Sequence, residues 1–212
     1  MDNNNDKLYD QLAKAVLPHL INNLIEDGLL QESDLSSKSK VYSVILREIE
    51  KGIEWELISD HRKDILKHAG HYEKVKEIEL YFMLVSTFFE HTLNYIIHHE
   101  CKKRKLGDKI QKDIIKSANI NSKLTWILAL LGLPKLNEKH VEVIKLVSER
   151  RNAFVHYKWQ PSYGTPSNQE RQQKLSDESL LLSCKKAISY IKKYEARLVH
   201  KGRKNKVKQL MK

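Results

Sequence analysis

The stretch Glu138-Lys-His-Val-Glu-Val-Ile-Lys-Leu-Val-Ser-Glu-Arg-Arg-Asn-Ala-Phe-Val-His-Tyr157 decides how this chain reads. At about 100° per residue it places Val143, Ile144, Val147, Phe154 and Val155 on one apolar arc, which predicts a helix with a single inward face. Asn137 caps its start, and Trp159-Gln-Pro-Ser-Tyr-Gly-Thr-Pro-Ser-Asn168 is a loop signal that ends it. Arg151 falls in the middle of the arc. An isolated buried charge costs on the order of several kcal/mol, so this guanidinium must meet a carboxylate, a phosphate or a wet cleft. Glu90, equally out of place in the most apolar part of the chain, is one partner that would satisfy it. Beside the arc lie Ser148, Asn152 and His156, the last two four positions apart and so stacked on one strip of the helix.

Working outward, every other patterned segment also carries the helical period. Leu8, Leu12, Val16, Leu20 and Leu24 recur at four-residue spacing and predict a helix from about Lys7 to Asp27, closed by Gly28. Val41, Val44, Ile45, Ile49, Ile53 and Leu57 mark a second helix, and a short polar one is expected from His61 to Lys67. From Tyr72 to about Arg104 the chain is apolar on most sides. Val75, Ile78, Phe82, Val85, Phe89, Leu93 and Ile96 form one face and Leu80, Leu84 and Phe88 lie behind, the pattern of a buried central helix. Gly107 interrupts before helices near Lys109 to Ser117 and Ser122 to Leu131, the second stopped by Gly132 and Pro134. A last helix opens at Ser176 and runs to about His200. With only 7 Gly and 4 Pro in 212 residues, the turn-rich punctuation of a β fold is missing, and an all-α fold is expected. The chain is read as one helical domain, residues 1–200, followed by a basic tail, 201–212.

Charge narrows the partner. Of the net charge of +11, residues 192–212 hold nine Lys or Arg against one acid, leaving +3 for all that precedes. Clustered cations gain affinity for phosphates by releasing condensed counterions, which favours nucleic acid. A membrane surface is the weaker reading, because the tail offers only Val207, Leu210 and Met211 as apolar anchors. No apolar run reaches the roughly 20 residues that span a bilayer, and the start MDNNNDK is polar and acidic, unlike a leader. Two cysteines, Cys101 and Cys184, make no framework of disulfides and no Cys-x-x-Cys pair. A cytoplasmic protein is expected. His61, His68, His71 and the pair His98-His99 lack the carboxylates or thiols at metal-site spacing, so no metal and no other cofactor is expected.

Arg151-Asn-Ala-Phe-Val-His156 resembles the Arg-x4-6-His signature of HEPN domains, in the form where a polar residue follows the Arg. Lys123-Leu-Thr-Trp126 opening a helix, then Gly132-Leu-Pro, then Ser148 through Trp159, is similar to the surroundings of that motif in the family. The likeness covers about Leu80 to Trp159. It implies a helical bundle that pairs as a two-fold dimer, with two Arg and two His lining one cleft, where many members cut RNA without a metal. On that resemblance Arg151, Asn152 and His156 are the catalytic residues, with Glu90, Ser148 and Tyr157 in support. Histidine titrates near neutrality and can take a proton from a ribose 2′-OH or give one to a leaving 5′ oxygen. A guanidinium can neutralise the charge that builds on the phosphate oxygens, and an asparagine can orient either group.

The function so implied is a metal-independent endoribonuclease of a toxin or anti-phage defence system, held by an antitoxin or another defence partner. The alternative is a non-catalytic HEPN module that binds RNA, a nucleotide or a partner protein. Lys158, Lys201, Arg203, Lys204, Lys206 and Lys208 are the expected RNA-binding residues, with no membrane partner. One departure bears on regulation. Members controlled by a partner nucleotidyltransferase carry Tyr two places after the His, where this chain has Lys158, and Tyr157 comes one place early.

Overall fold

Helices and the turns between them make up the computed structural model, which describes residues 16–18, 20–25, 27–52, 60–156, 168–199 and 203–210. For 168–176, 204, 205 and 208 only the backbone is described. No strand occurs among the described residues, and the all-α expectation holds. None of the described helices is long and apolar enough to cross a membrane. The chain divides into two compact units, residues 60–195 and residues 1–59 with 196–212.

The larger unit is built round the apolar helix. The segments are α2 (Arg62–Lys74), α3 (Ile78–Lys103), α4 (Asp108–Ser117), α5 (residues 120–130), α6 (Glu138–Val155) and most of α7 (Asn168–Leu198). Because α3 is apolar on most sides, it is buried on most sides: Phe82, Val85, Phe89 and Leu93 lie on one buried face, with Phe88 and Ile97 buried on its opposite flanks. Helices α2 and α6 pack directly on it. Arg62 reaches Asp60 and Glu195 and lies 4.5 Å from the centre of the Tyr95 ring, tying α2 to α3 and α7. Tyr194 donates to the Pro134 carbonyl at 2.6 Å, and Tyr190 accepts from the Asn137 N–H at 2.8 Å, so α7 fixes the loop from which α6 starts.

Several helix boundaries differ from expectation, and α7 starts at Asn168 rather than at Ser176. The helix expected to begin at Tyr72 is instead two: α2 runs to Lys74, Lys76 takes φ 63°, and α3 begins at Ile78. Bonds from Glu77 N–H to the Tyr72 carbonyl and from Lys76 N–H to the Glu73 carbonyl close α2 in a Schellman motif. Val75, placed on the buried face by periodicity, is 51% exposed in that turn. Helix α3 ends at Lys103, close to the Arg104 expected, but the left-handed residue there is Lys105 (φ 56°), whereas Gly107 has φ −60° and caps α4. A lysine can take the left-handed conformation at some cost, and nothing in its side chain announces it. Gly28 (φ 74°) and Gly132 (φ 58°) end their helices as expected.

The smaller unit contains the helical residues 20–25, a 3₁₀ turn at Glu32–Ser36, α1 (Lys38–Glu50) and α8 (Lys204–Leu210). Leu20, Ile21, Leu24, Leu30, Leu35, Val41 and Ile45 form its core together with Val207 and Leu210. Helix α1 stops at Glu50 and Gly52 takes φ 70°, short of the Leu57 expected; Ile53 and Leu57 lie outside the described residues, as do Lys7 to Ala15.

Candidate functional site

Asn137 opens α6 with its Oδ1 accepting from the Lys139 N–H at 3.1 Å, as an N-cap asparagine should. The helix then buries Val141, Ile144, Val147 and Ser148 against α3. One turn further the same face emerges. Arg151 keeps 30% of its side chain exposed, and Val155, expected on the buried arc, is 46% exposed. His156 ends the helix, its backbone N–H bonded to the Asn152 carbonyl at 3.0 Å, and both Asn152 and His156 are exposed. The motif therefore stands at an emerging helix end rather than inside the bundle.

Arg151 does meet Glu90: Nη2 donates to Oε2 at 3.1 Å, joining α6 to the middle of α3. The other carboxylate oxygen also has a cationic partner. Lys123 Nζ donates to Glu90 Oε1 at 3.2 Å from a side chain that is 2% exposed. Lys123 opens a π turn, Lys123–Ile127, within α5, and Asn119 Oδ1 caps the start of that helix by accepting from the Ser122 N–H. Two cations thus share one carboxylate. Arg151 Nε is buried without a hydrogen-bond partner, and so is Oδ1 of Asn94, one turn beyond Glu90 on α3.

No protein-family model, curated protein or solved structure matches this chain.

Arg150, one position earlier on α6, has the opposite environment. It is bonded to both Glu79 and Asp177 and stacks 4.7 Å above the centre of the Phe82 ring, with its side chain 18% exposed. One cation here faces two carboxylates. Burial alone would lower its pKa, but bonds to Glu79 and Asp177 outweigh burial and hold the guanidinium above its ordinary value. Arg150 is a packing clamp between α3, α6 and α7. Two adjacent arginines therefore take unlike roles because 100° of helix separates their directions.

Of the other expected residues, Ser148 is buried beside Val147, and Tyr157, Lys158 and Lys201 lie outside the described residues. Lys206 is exposed on α8. Lys204 and Lys208 lie on the same short helix, their side chains outside what is described. Arg203 is turned inward: it is 5% exposed, donates to the Val199 carbonyl at 2.8 Å and sits 3.5 Å from Glu32. Among the described residues, no group of three or more His, Cys, Asp or Glu stands where it could hold a metal ion.

Lys123 was the residue that sequence reasoning passed over as a site member. Its signal was present. With Leu124, Ile127, Leu128 and Leu131 it falls on the one buried stripe of α5, so its charge is as anomalous there as that of Arg151 on α6.

Proposed function

We propose that this protein is a metal-independent endoribonuclease of the HEPN type, acting as a two-fold dimer with Arg151 and His156 as its catalytic pair. The observation that carries the reading is the arrangement at the end of α6. Arg151 is partly exposed and shares its single carboxylate with another cation, beside the exposed Asn152 and His156.

In the reaction a histidine takes the proton of a ribose 2′-OH as that oxygen bonds to the adjacent phosphorus. The bond from phosphorus to the 5′ oxygen breaks, and the leaving oxygen is protonated by the second histidine of the dimer cleft. The products are a 2′,3′-cyclic phosphate and a 5′-OH. Arg151 neutralises the charge that grows on the non-bridging oxygens, and Asn152 orients the imidazole or the phosphate. DNA is spared because it lacks the attacking hydroxyl. Exposure of Val155 at the same helix end suits a partner copy covering it and bringing the second motif into the cleft. A role as a toxin or anti-phage effector under a partner protein's control follows from the family resemblance alone.

RNA incubated with the protein in EDTA, beside His156→Ala and Arg151→Ala, tests the reading. Cleavage to cyclic-phosphate ends that both variants lose is the expected result. RNA bound but uncut by the wild type would favour the non-catalytic binding module, and cleavage that vanished in EDTA and returned with magnesium or manganese would overturn the catalytic assignment.

A further inference from the structure

Lys123 takes no part in the proton transfers proposed above, yet its ammonium is buried in an apolar stripe, where a charge persists only with a compensating partner. That partner is Glu90 Oε1, while Arg151 makes a single bond, to Oε2. A guanidinium and a carboxylate free to pair with each other would form a two-bond fork that neutralises both. Here Arg151 makes one bond to Glu90 and shares the charge of that carboxylate with Lys123. The cluster of Lys123, Glu90 and Arg151 carries one more positive than negative charge, and the unpartnered Nε of Arg151 shows that the guanidinium is not saturated. Arg150, held by two carboxylates, is what a saturated arginine looks like in the same helix. The π turn that begins at Lys123 is a local irregularity of a kind frequent at functional sites.

We propose that Lys123 is a positioning residue for the site at Arg151: by sharing the charge of Glu90 it keeps Arg151 under-neutralised, so that the cluster presents net positive charge to an oxyanion. The identity of that oxyanion as the phosphodiester of RNA rests on the ribonuclease reading. The electrostatic role does not. Glu90 fixes the geometry of Arg151 and at the same time subtracts from its charge, and Lys123 offsets the subtraction.

The test uses the full chain and inorganic phosphate as the probe, with affinity followed by phosphorus-31 line broadening in wild type, Arg151→Ala, Lys123→Met, Glu90→Gln and the double variant Lys123→Met/Glu90→Gln. Arg151→Ala and Lys123→Met should each weaken phosphate binding by about fivefold or more. Glu90→Gln, which keeps an acceptor oxygen but removes the charge, should bind at least as tightly as wild type. The double variant should return to within about twofold of wild type, since nothing is then left to neutralise Arg151. A purely structural lysine would shift the urea midpoint of Lys123→Met and leave the phosphate affinity of the folded variant unchanged. The proposal is overturned if wild-type binding is indifferent to Arg151→Ala, if Lys123→Met leaves it unchanged, if the double variant is no better than Lys123→Met, or if Glu90→Gln weakens binding. Should Lys123→Met or Glu90→Gln fail to fold cooperatively in urea, the double variant decides alone, because it replaces the buried pair with two uncharged side chains. RNA cleavage measured alongside separates the two ideas. A protein that binds phosphate in this pattern but cuts no RNA sinks the ribonuclease reading and leaves the role of Lys123 standing.

Discussion

At the scale of single residues, α6 shows how neighbouring side chains of one type are assigned different work by their surroundings. His156→Ala removes a group at the exposed helix end, so RNA cleavage should fall by about a hundredfold or more, the usual share of general acid–base catalysis, with RNA affinity nearly unchanged. Single-turnover rates and binding isotherms of the same preparation check this. His140, at the other end of the helix, makes a different pH prediction. Its ring stacks 4.4 Å from that of Tyr190, its Nδ1 is buried without a partner, and burial, with some help from Lys139, lowers its pKa from the ordinary 6.5. The folded chain thus resists a proton that the unfolded chain accepts. Stability is full above about pH 6.5 and is lost as pH falls from there through the lowered folded value. His140→Phe keeps a ring against Tyr190 and removes the titration, so the urea midpoint of the variant should fall less steeply than that of wild type between about pH 6.5 and 5.

At the scale of elements, the caps decide where helices stop. Lys76 and Lys105 occupy the left-handed C′ position that glycine fills at Gly28 and Gly132. Both lysines are exposed in their turns. Lys76→Gly and Lys105→Gly should each stabilise the fold by about 1 kcal/mol by relieving backbone strain, a gain read from the urea midpoint at unchanged slope. No change in RNA cleavage is expected for Lys76→Gly. A loss of stability would mean that the lysine side chain contributes more to the turn than its conformation costs. Helix α3 carries the complementary lesson: its apolar surface calls for neighbours all round, and Glu90 is tolerated midway along it because two cations from α5 and α6 converge there.

At the scale of the molecule, the basic C-terminal segment has two faces. Val207 and Leu210 belong to the core of the smaller unit and the buried Arg203 donates to the Val199 carbonyl and to the exposed Glu32, while Lys206 is exposed. Deleting residues 201–212 would therefore remove core as well as charge. Val207→Asp should destabilise the smaller unit by about 3 kcal/mol through an unpaired buried charge, seen in its urea transition. The electrostatic role is better tested by Lys206→Glu together with Lys204→Glu and Lys208→Glu. If this helix contacts RNA, the triple variant should keep its fold, bind RNA more weakly and show a flatter dependence of affinity on salt. Unchanged salt dependence would remove the segment from the RNA-binding surface. Assembly is tested at the same scale. The dimer reading expects twice the mass of a 24.9 kDa chain by light scattering at micromolar concentration, and a strictly monomeric enzyme that still cuts RNA would sink it.

Helical class, the cap at Asn137, the stops at Gly28 and Gly132 and the anomaly of Arg151 were all legible in the sequence, because each depends on residues within a turn or two of one another. Periodicity also found α3 as the buried centre. What it could not find were the break at Lys76, where the left-handed residue carries no glycine signature, the start of α7 at Asn168, and the fate of Val155, whose exposure depends on tertiary packing. Lys123 and Arg151 reach Glu90 across 33 and 61 residues of chain, and only the packing of α5 and α6 on α3 sets which carboxylate oxygen each receives. Local preference writes the helices, whereas the charge left on Arg151 is fixed by three side chains that the sequence keeps far apart and the tertiary structure brings together.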